Sequence, residues 1–234
     1  MSVGFIALWK NNQREYAASP RDEWGTTEDI QAAFAMGRAR GNRTFGLYFC
    51  RWSSPWQYLT FWISPSMAAV FDTIADLERA GDFKFADSMH VYGRFVDDTN
   101  YLTDGAWDVI PEPIDDEPAP YGVFLMERGS GSGRSSDCHR SPDSALDLPS
   151  VAASFGVRMY GLFDCRYSTG WDRFTFWTAA DPTALTECLA WLEHVNQPRG
   201  LDNFAVTGRL DRYFRFGSHL QTSLTWLNEE DAHA

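Results

Sequence analysis

Positive charge is scarce in this chain. Lysine and arginine number 20 against 32 acidic residues, a formal net charge of −12. A field of that sign repels phosphate backbones and anionic lipid, which removes nucleic acid and membrane surfaces from the expected partners. Cysteine is also sparse: Cys50, Cys138, Cys165 and Cys188 form no Cys-x-x-Cys pair, so neither a disulfide framework nor a zinc site is indicated. No apolar run reaches eighteen residues, and the opening Met1-Ser2-Val3-Gly4-Phe5 lacks the basic region and apolar stretch of a secretory signal. A cytoplasmic location is therefore expected. Missing too are Gly-x-Gly-x-x-Gly, a Walker loop, a Gly-x-Ser-x-Gly elbow and His-Glu-x-x-His, which leaves no support for nucleotide binding, serine hydrolysis or zinc proteolysis.

Aromatic residues, by contrast, are plentiful. They make up 15% of the 234 residues, with ten tryptophans. That is the composition of thick cores or ligand-lined cavities. A single domain of this length buries roughly 70–75% of its unfolded surface, so a real core is expected.

The chain contains its own copy. Residues 45–62 (FGLYFCRWSSPWQYLTFW) align without a gap onto residues 160–177 (YGLFDCRYSTGWDRFTFW), with nine of eighteen positions identical. The same offset matches Leu77-Glu78 with Leu192-Glu193, Asp87 with Asp202, and residues 91–94 with 206–209. A duplication that holds register over this length sets the domain organisation.

Each copy reads as strand, helix, strand, strand, helix, strand. In the first, residues 4–10 form a strand, and residues 27–40 a helix opened by Thr26, Thr27, Glu28 and Asp29 and closed by Gly41. Strands follow at 44–51 and 57–63. Met67, Val70, Phe71, Ile74 and Leu77 then make one stripe of a helix capped by Ser66, and residues 89–96 the last strand. The second copy has strands at 121–128, 158–167, 173–178 and 203–210, a short helix near 144–154, and a helix begun by Asp181-Pro182. Residues 97–120 carry eight acids, no base and four prolines, and read as a linker. The fold class is thus α+β, with lobes at 1–96 and 121–216 and a tail at 217–234.

This double βαββαβ order, with Ala7-Leu8-Trp9-Lys10 in the first strand, resembles the dimeric α/β barrel superfamily, close to its small bacterial members. The resemblance implies two tandem ferredoxin-like lobes that form an intramolecular dimeric α/β barrel, bare sheet face to bare sheet face. Strand alternation then sorts the side chains. Leu59, Phe61, Ile63, Phe174 and Phe176 are expected under the helices, with Tyr58, Thr60, Trp62, Arg173, Thr175 and Trp177 opposite. Gly46, Tyr48 and Cys50 are expected in the helix-packed core, and Asp164, Arg51 and Arg166 on the inter-lobe face. His90, Tyr92 and Arg94 join that face, with Ala205, Thr207 and Arg209 as their counterparts.

Four arginines, two tryptophans, a histidine, a tyrosine and an aspartate enclosed together would either pair with one another or serve a ligand. Duplicated arginines at strand ends have a structural reading as partners of Asp87, Asp202 or Asp164. On the functional reading, His90 is the candidate base, Arg94 stabilises an oxyanion and Tyr92 orients a phenol or enol. Arg51, Trp62, Asp164, Arg166, Arg173, Trp177 and Arg209 are the candidate substrate contacts. Cys50 and Cys165 are expected to be inert. Cys138-His139 lies in a Gly- and Ser-rich stretch with the composition of a lid rather than a metal site.

The resemblance implies several activities: cofactor-free oxygenases, isomerases and cyclases, haem-degrading enzymes, and tandem haem proteins related to chlorite dismutases and dye-decolorising peroxidases. The leading expectation is a cofactor-independent tailoring enzyme acting on an aromatic or oxygen-rich anionic metabolite, as a monomer (a pseudo-dimer) or a homodimer. The alternatives are a haem protein, for which the resemblance implies a proximal histidine in the second lobe such as His194, and a non-catalytic ligand-binding or scaffold protein.

Overall fold

The structure is a computed structural model that describes residues 2–11, 27–81, 86–96, 120–129, 148–196 and 201–210. The residues of the expected linker before Pro120, the Cys138-His139 stretch, the start of the 144–154 helix and the tail lie outside the described residues. Eight strands and four helices are present among those described: β1 Val3–Asn11, α1 Thr27–Ala39, β2 Arg43–Phe49, β3 Tyr58–Ser64, α2 Met67–Arg79, β4 Ala86–Phe95, β5 Tyr121–Gly129, α3 Leu148–Ser154, β6 Val157–Asp164, β7 Arg173–Ala179, α4 Pro182–Asn196 and β8 Leu201–Leu210. The protein is α+β, with antiparallel strand pairing and the order strand, helix, strand, strand, helix, strand run through twice.

Local chemistry accounts for the helix ends. The Ser66 hydroxyl accepts the Ala69 amide at 3.2 Å to open α2, and the Asp181 carboxylate accepts the Thr183 amide at 2.9 Å ahead of Pro182 in α4. At the end of α1 the amides of Gly41 and Asn42 return to the carbonyls of Arg38 and Gly37.

The chain divides into two compact units, Val91–Arg209 and the residues on either side, so the division falls within β4 and at the end of β8. In the first unit β3 lies between β1 and β2, Phe5 standing opposite Trp62 and Tyr48 opposite Leu59. In the second, β5 lies between β7 and β8, β6 pairs with β7, and the end of β4 pairs with β6, Arg94 opposite Asp164.

Both β2 and β6 carry a bulge at matching positions, Gly46 at φ 116° and Gly161 at φ 126°. Two residues, Phe45 and Gly46 or Tyr160 and Gly161, face one on the neighbouring strand, which reverses the alternation past that point. Leu47 and Phe49 consequently share a face with Thr60 and Trp62, while Phe45 packs against Phe61 in a tilted pair with ring centroids 5.4 Å apart.

The two faces are exchanged relative to the sequence expectation. Trp62 meets Phe34 of α1 at 6.3 Å, and Trp177 is buried in one cluster with Ala152 of α3 and Leu185, Cys188 and Leu192 of α4. Trp62 and Trp177 are thus core residues beneath the helices. Leu59, Phe61, Phe174 and Phe176, expected there, lie on the other face. The reason is that both faces are buried and apolar, so the greasier set carries no mark of which side the helices cover. On the helix-covered face the indole N–H groups are satisfied within their own strands: Trp62 donates to the Thr60 hydroxyl at 3.1 Å, which donates to the Gly46 carbonyl at 2.8 Å, and Trp177 donates to Thr175.

Candidate functional site

On the helix-covered side of the first unit, His90 of β4 meets the Phe5 ring edge-on at 5.3 Å, and Phe5 packs on Trp62 at 5.1 Å. Burial holds the half-buried imidazole below its ordinary pKa, opposed by the nearby Glu78 carboxylate. The neutral imidazole, able to accept a proton, is its resting form at neutral pH.

Four residues further along β1, where β3 begins, a row of aromatic residues crosses three strands. Trp9 of β1 contacts Tyr58 of β3 at 5.5 Å, and Tyr58 contacts Phe49 of β2 at 5.8 Å. Phe49 in turn meets Trp52 at 5.9 Å. Trp9 is buried, Tyr58 and Phe49 half-buried, and Trp52 is 57% exposed.

The second unit places charge at the corresponding strand positions. Glu127 of β5 accepts the Arg173 guanidinium at 2.5 Å, with side-chain exposures of only 9% and 17%. Asp164 of β6 holds Arg166 in a two-pronged clamp, 2.9 Å from Nε to Oδ1 and 2.5 Å from Nη2 to Oδ2, and also accepts the Arg166 amide. The clamp raises the Arg166 pKa and is itself a strong paired hydrogen bond. Arg94 of β4 stands opposite Asp164, and half-buried Tyr92 is bridged through its backbone to the Ser168 hydroxyl.

The expectation of arginines enclosed in an interior is therefore corrected: Arg51, Arg94, Arg166 and Arg209 are all exposed. Arg173, also expected to contact substrate, is an ion-paired residue of the second unit. Burying four guanidinium groups would cost several kcal/mol each without anions to match, and the fold keeps them at its surface.

Both aromatic and charged rows hang on the same turn. In each copy the cysteine amide donates to the residue seven positions on, Cys50 to Gln57 and Cys165 to Asp172. The thiols point at the carbonyls of Trp56 and Trp171 at 3.6 and 3.5 Å. Burial pushes the Cys50 and Cys165 thiols up to about 11, so both are protonated and inert at neutral pH. The duplicated Cys-Arg-aromatic-Ser signature is thus a turn frame, with its cysteines in a structural role.

No family model and no curated protein matches the sequence, whereas solved structures match nearly its whole length. A haem-binding protein from Thermus thermophilus superimposes with a TM-score of 0.70 at 12% identity, covering 96% of this chain and 95% of that one. A mutant chlorite dismutase from Candidatus Nitrospira defluvii gives 0.66 at 10% identity, and the chlorite dismutase in complex with imidazole 0.63 at 9%, each covering 94% of both chains. The chain shares the chlorite dismutase-like fold. At these identities the likeness is one of fold.

Haem does not fit the described residues of the second unit. The layer between sheet and helices is filled by Val123, Leu125, Met159, Leu162, Trp177 and Leu185 without a histidine, and its Cys188 thiol is pushed by burial up to about 11. His194 sits exposed in the last turn of α4. Among the described residues no group of three or more His, Cys, Asp or Glu is placed to hold a metal ion, and no helix is long and apolar enough to cross a membrane.

Two features of the site escape sequence reading. Glu127 as the partner of Arg173 depends on the pairing of β5 with β7, which lie far apart in the chain. In the first unit Asp76 is buried between Arg40, at 2.6 Å, and Arg79, while Asn42 ties Thr73 to Ser64. The glycines in both copies of the second strand are the signal for the bulges.

Proposed function

We propose that the chain is a small-molecule-binding protein of tandem ferredoxin-like lobes, of the dimeric α/β barrel type, in which His90 does acid–base work on an aromatic or oxygen-rich anionic metabolite. The observation that carries this reading is His90 itself: a half-buried imidazole, kept neutral by burial and ordered by Phe5, at a position where the second copy has Ala205. A neutral imidazole takes a proton from an acidic O–H or activated C–H and returns it as imidazolium. Tyr92 and Arg94 follow at every second residue of β4 and are the proposed orienting phenol and oxyanion-stabilising cation. Trp62 and Trp177 serve this reading only by packing.

A haem protein is the second reading, favoured by the haem-binding structural relative and opposed by the donor set of the second unit. Haem titration followed by absorption separates the two: no Soret shift is expected, and one saturating at a single haem per chain overturns the acid–base reading. The direct test is an NMR screen of phenols and aromatic carboxylates that monitors the imidazole C–H signals of His90, assigned with His90→Gln. Ligands that move those signals are expected. Ligands that bind wild type and His90→Gln equally and leave the signals in place would refute the role of His90.

A further inference from the structure

We propose that the Cys50–Gln57 turn of the first unit is a binding site for a planar aromatic carboxylate, in which Arg51 takes the carboxylate and Trp52, backed by Phe49 and Tyr58, takes the ring. The proposal goes beyond the reading of His90 and does not depend on it.

The argument uses the protein's second copy as its control. Both turns are built on one frame: the cysteine amide donates seven residues ahead, the thiol meets a tryptophan carbonyl, and the hydroxyl of Ser54 or Thr169 contacts the cysteine carbonyl and sulfur. Each presents an arginine followed by an exposed aromatic residue, Arg51-Trp52 and Arg166-Tyr167, with Trp52 57% and Tyr167 76% exposed. In the second unit the arginine already has its anion, clamped by both oxygens of Asp164. At the matching strand position the first unit has Phe49, and Arg51 has no carboxylate partner among the described residues.

What replaces the carboxylate is aromatic surface. Phe49 meets Trp52 on one side and Tyr58 on the other, and Tyr58 extends the row to Trp9. The first unit thus joins a planar cation, uncommitted among the described residues, to a stacking surface, at the location where its sister joins a committed cation to an acid. A guanidinium pairs with a carboxylate through two parallel N–H donors, and tryptophan and tyrosine supply flat apolar area. A ligand that carries both groups, a ring and a carboxylate, supplies in one molecule what Asp164 supplies within the chain. A solvated arginine with no stacking surface beside it favours an acid over its neutral isostere by only about fivefold or less.

Calorimetric titration of the full chain with 2-naphthoate and with 2-naphthalenemethanol tests this. Wild type is expected to bind the acid about tenfold or more tightly than the alcohol. Arg51→Gln is expected to erase that preference, and Trp52→Ala to weaken both ligands. Arg38→Gln, which removes an exposed positive charge from α1, is the charge control and keeps the preference. Phe49→Asp, which restores the clamp of the second copy, weakens the acid by a similar factor. Arg51 and Trp52 are exposed, so their variants keep the test open should Phe49→Asp fail to fold. Folded wild type that binds neither ligand, equal affinities for the two, or an Arg51→Gln variant that retains the preference each overturns the proposal.

Discussion

A methyl group added at Gly46 is expected to destabilise the fold by about 3 kcal/mol, the sum of two costs. The backbone there sits at φ 116°, outside the conformations an alanine adopts readily, a strain of about 1–3 kcal/mol. The new Cβ would also stand 2.9 Å from the Tyr48 ring and 3.1 Å from Leu210, and overpacking of this kind costs about 1–3 kcal/mol. Tyr48 cannot swing aside cheaply, because it is fully buried and its hydroxyl donates to the Phe45 carbonyl at 3.2 Å. Gly156 provides the comparison: its φ is also positive, at 73°, but nothing lies within 4 Å of the added carbon, so Gly156→Ala bears the backbone strain alone, about 1 kcal/mol. Urea unfolding of the two variants beside wild type measures the difference directly. For a chain of this size 1 kcal/mol corresponds to about 2–4 °C in Tm, so thermal scans should separate the pair as well. If Gly46→Ala costs no more than Gly156→Ala, the bulge is not the crowded, register-fixing element described above.

Three further outcomes are expected. Glu127→Gln should cost about 3 kcal/mol in urea unfolding because it strands a largely buried guanidinium, and the joint replacement of Glu127 and Arg173 by leucine should recover about half of that; strict additivity of the single changes would refute the pairing. Burial lowers the His90 pKa in the folded protein, so its contribution to stability is complete above the unfolded value of about 6.5 and is lost as pH falls through that value toward the folded one. The urea midpoint should then fall more steeply for wild type than for His90→Gln between about pH 7 and 5. Iodoacetamide at neutral pH should leave Cys50, Cys165 and Cys188 unmodified in the native chain, as mass spectrometry of the digest would reveal; rapid labelling of Cys50 or Cys165 would contradict the buried turn frame.

The elements of the fold are legible in the sequence wherever short-range chemistry sets them. Ser66 and Asp181-Pro182 start their helices by hydrogen bonds to the next turn, and the repeat carries the second set of strands from the first. Residues that share a face are also grouped correctly by alternation: Thr60 with Trp62 and Thr175 with Trp177. Which side that face takes is not legible, because Leu59 and Phe61 are as buried as Trp62 and hydrophobicity labels both sides alike. The bulges at Gly46 and Gly161 break the alternation as well, so the arrangement of Phe45, Tyr48 and Phe49 needs coordinates. The candidate site suffers most from this. Arginines read as enclosed are exposed, since a strand-end position does not reveal whether the next layer covers it, and the Glu127–Arg173 pair depends on strand neighbours more than forty residues apart.

The common frame of the two Cys-to-Trp turns has a practical consequence. Matching anchoring bonds at the base make residues 49–57 and 164–172 exchangeable cassettes, each carrying its own aromatic or acidic partner for the arginine. A molecule that already contains both versions of a part invites chimeras with two aromatic tips or two acidic ones, and so lets recognition be rewritten without redesigning the scaffold.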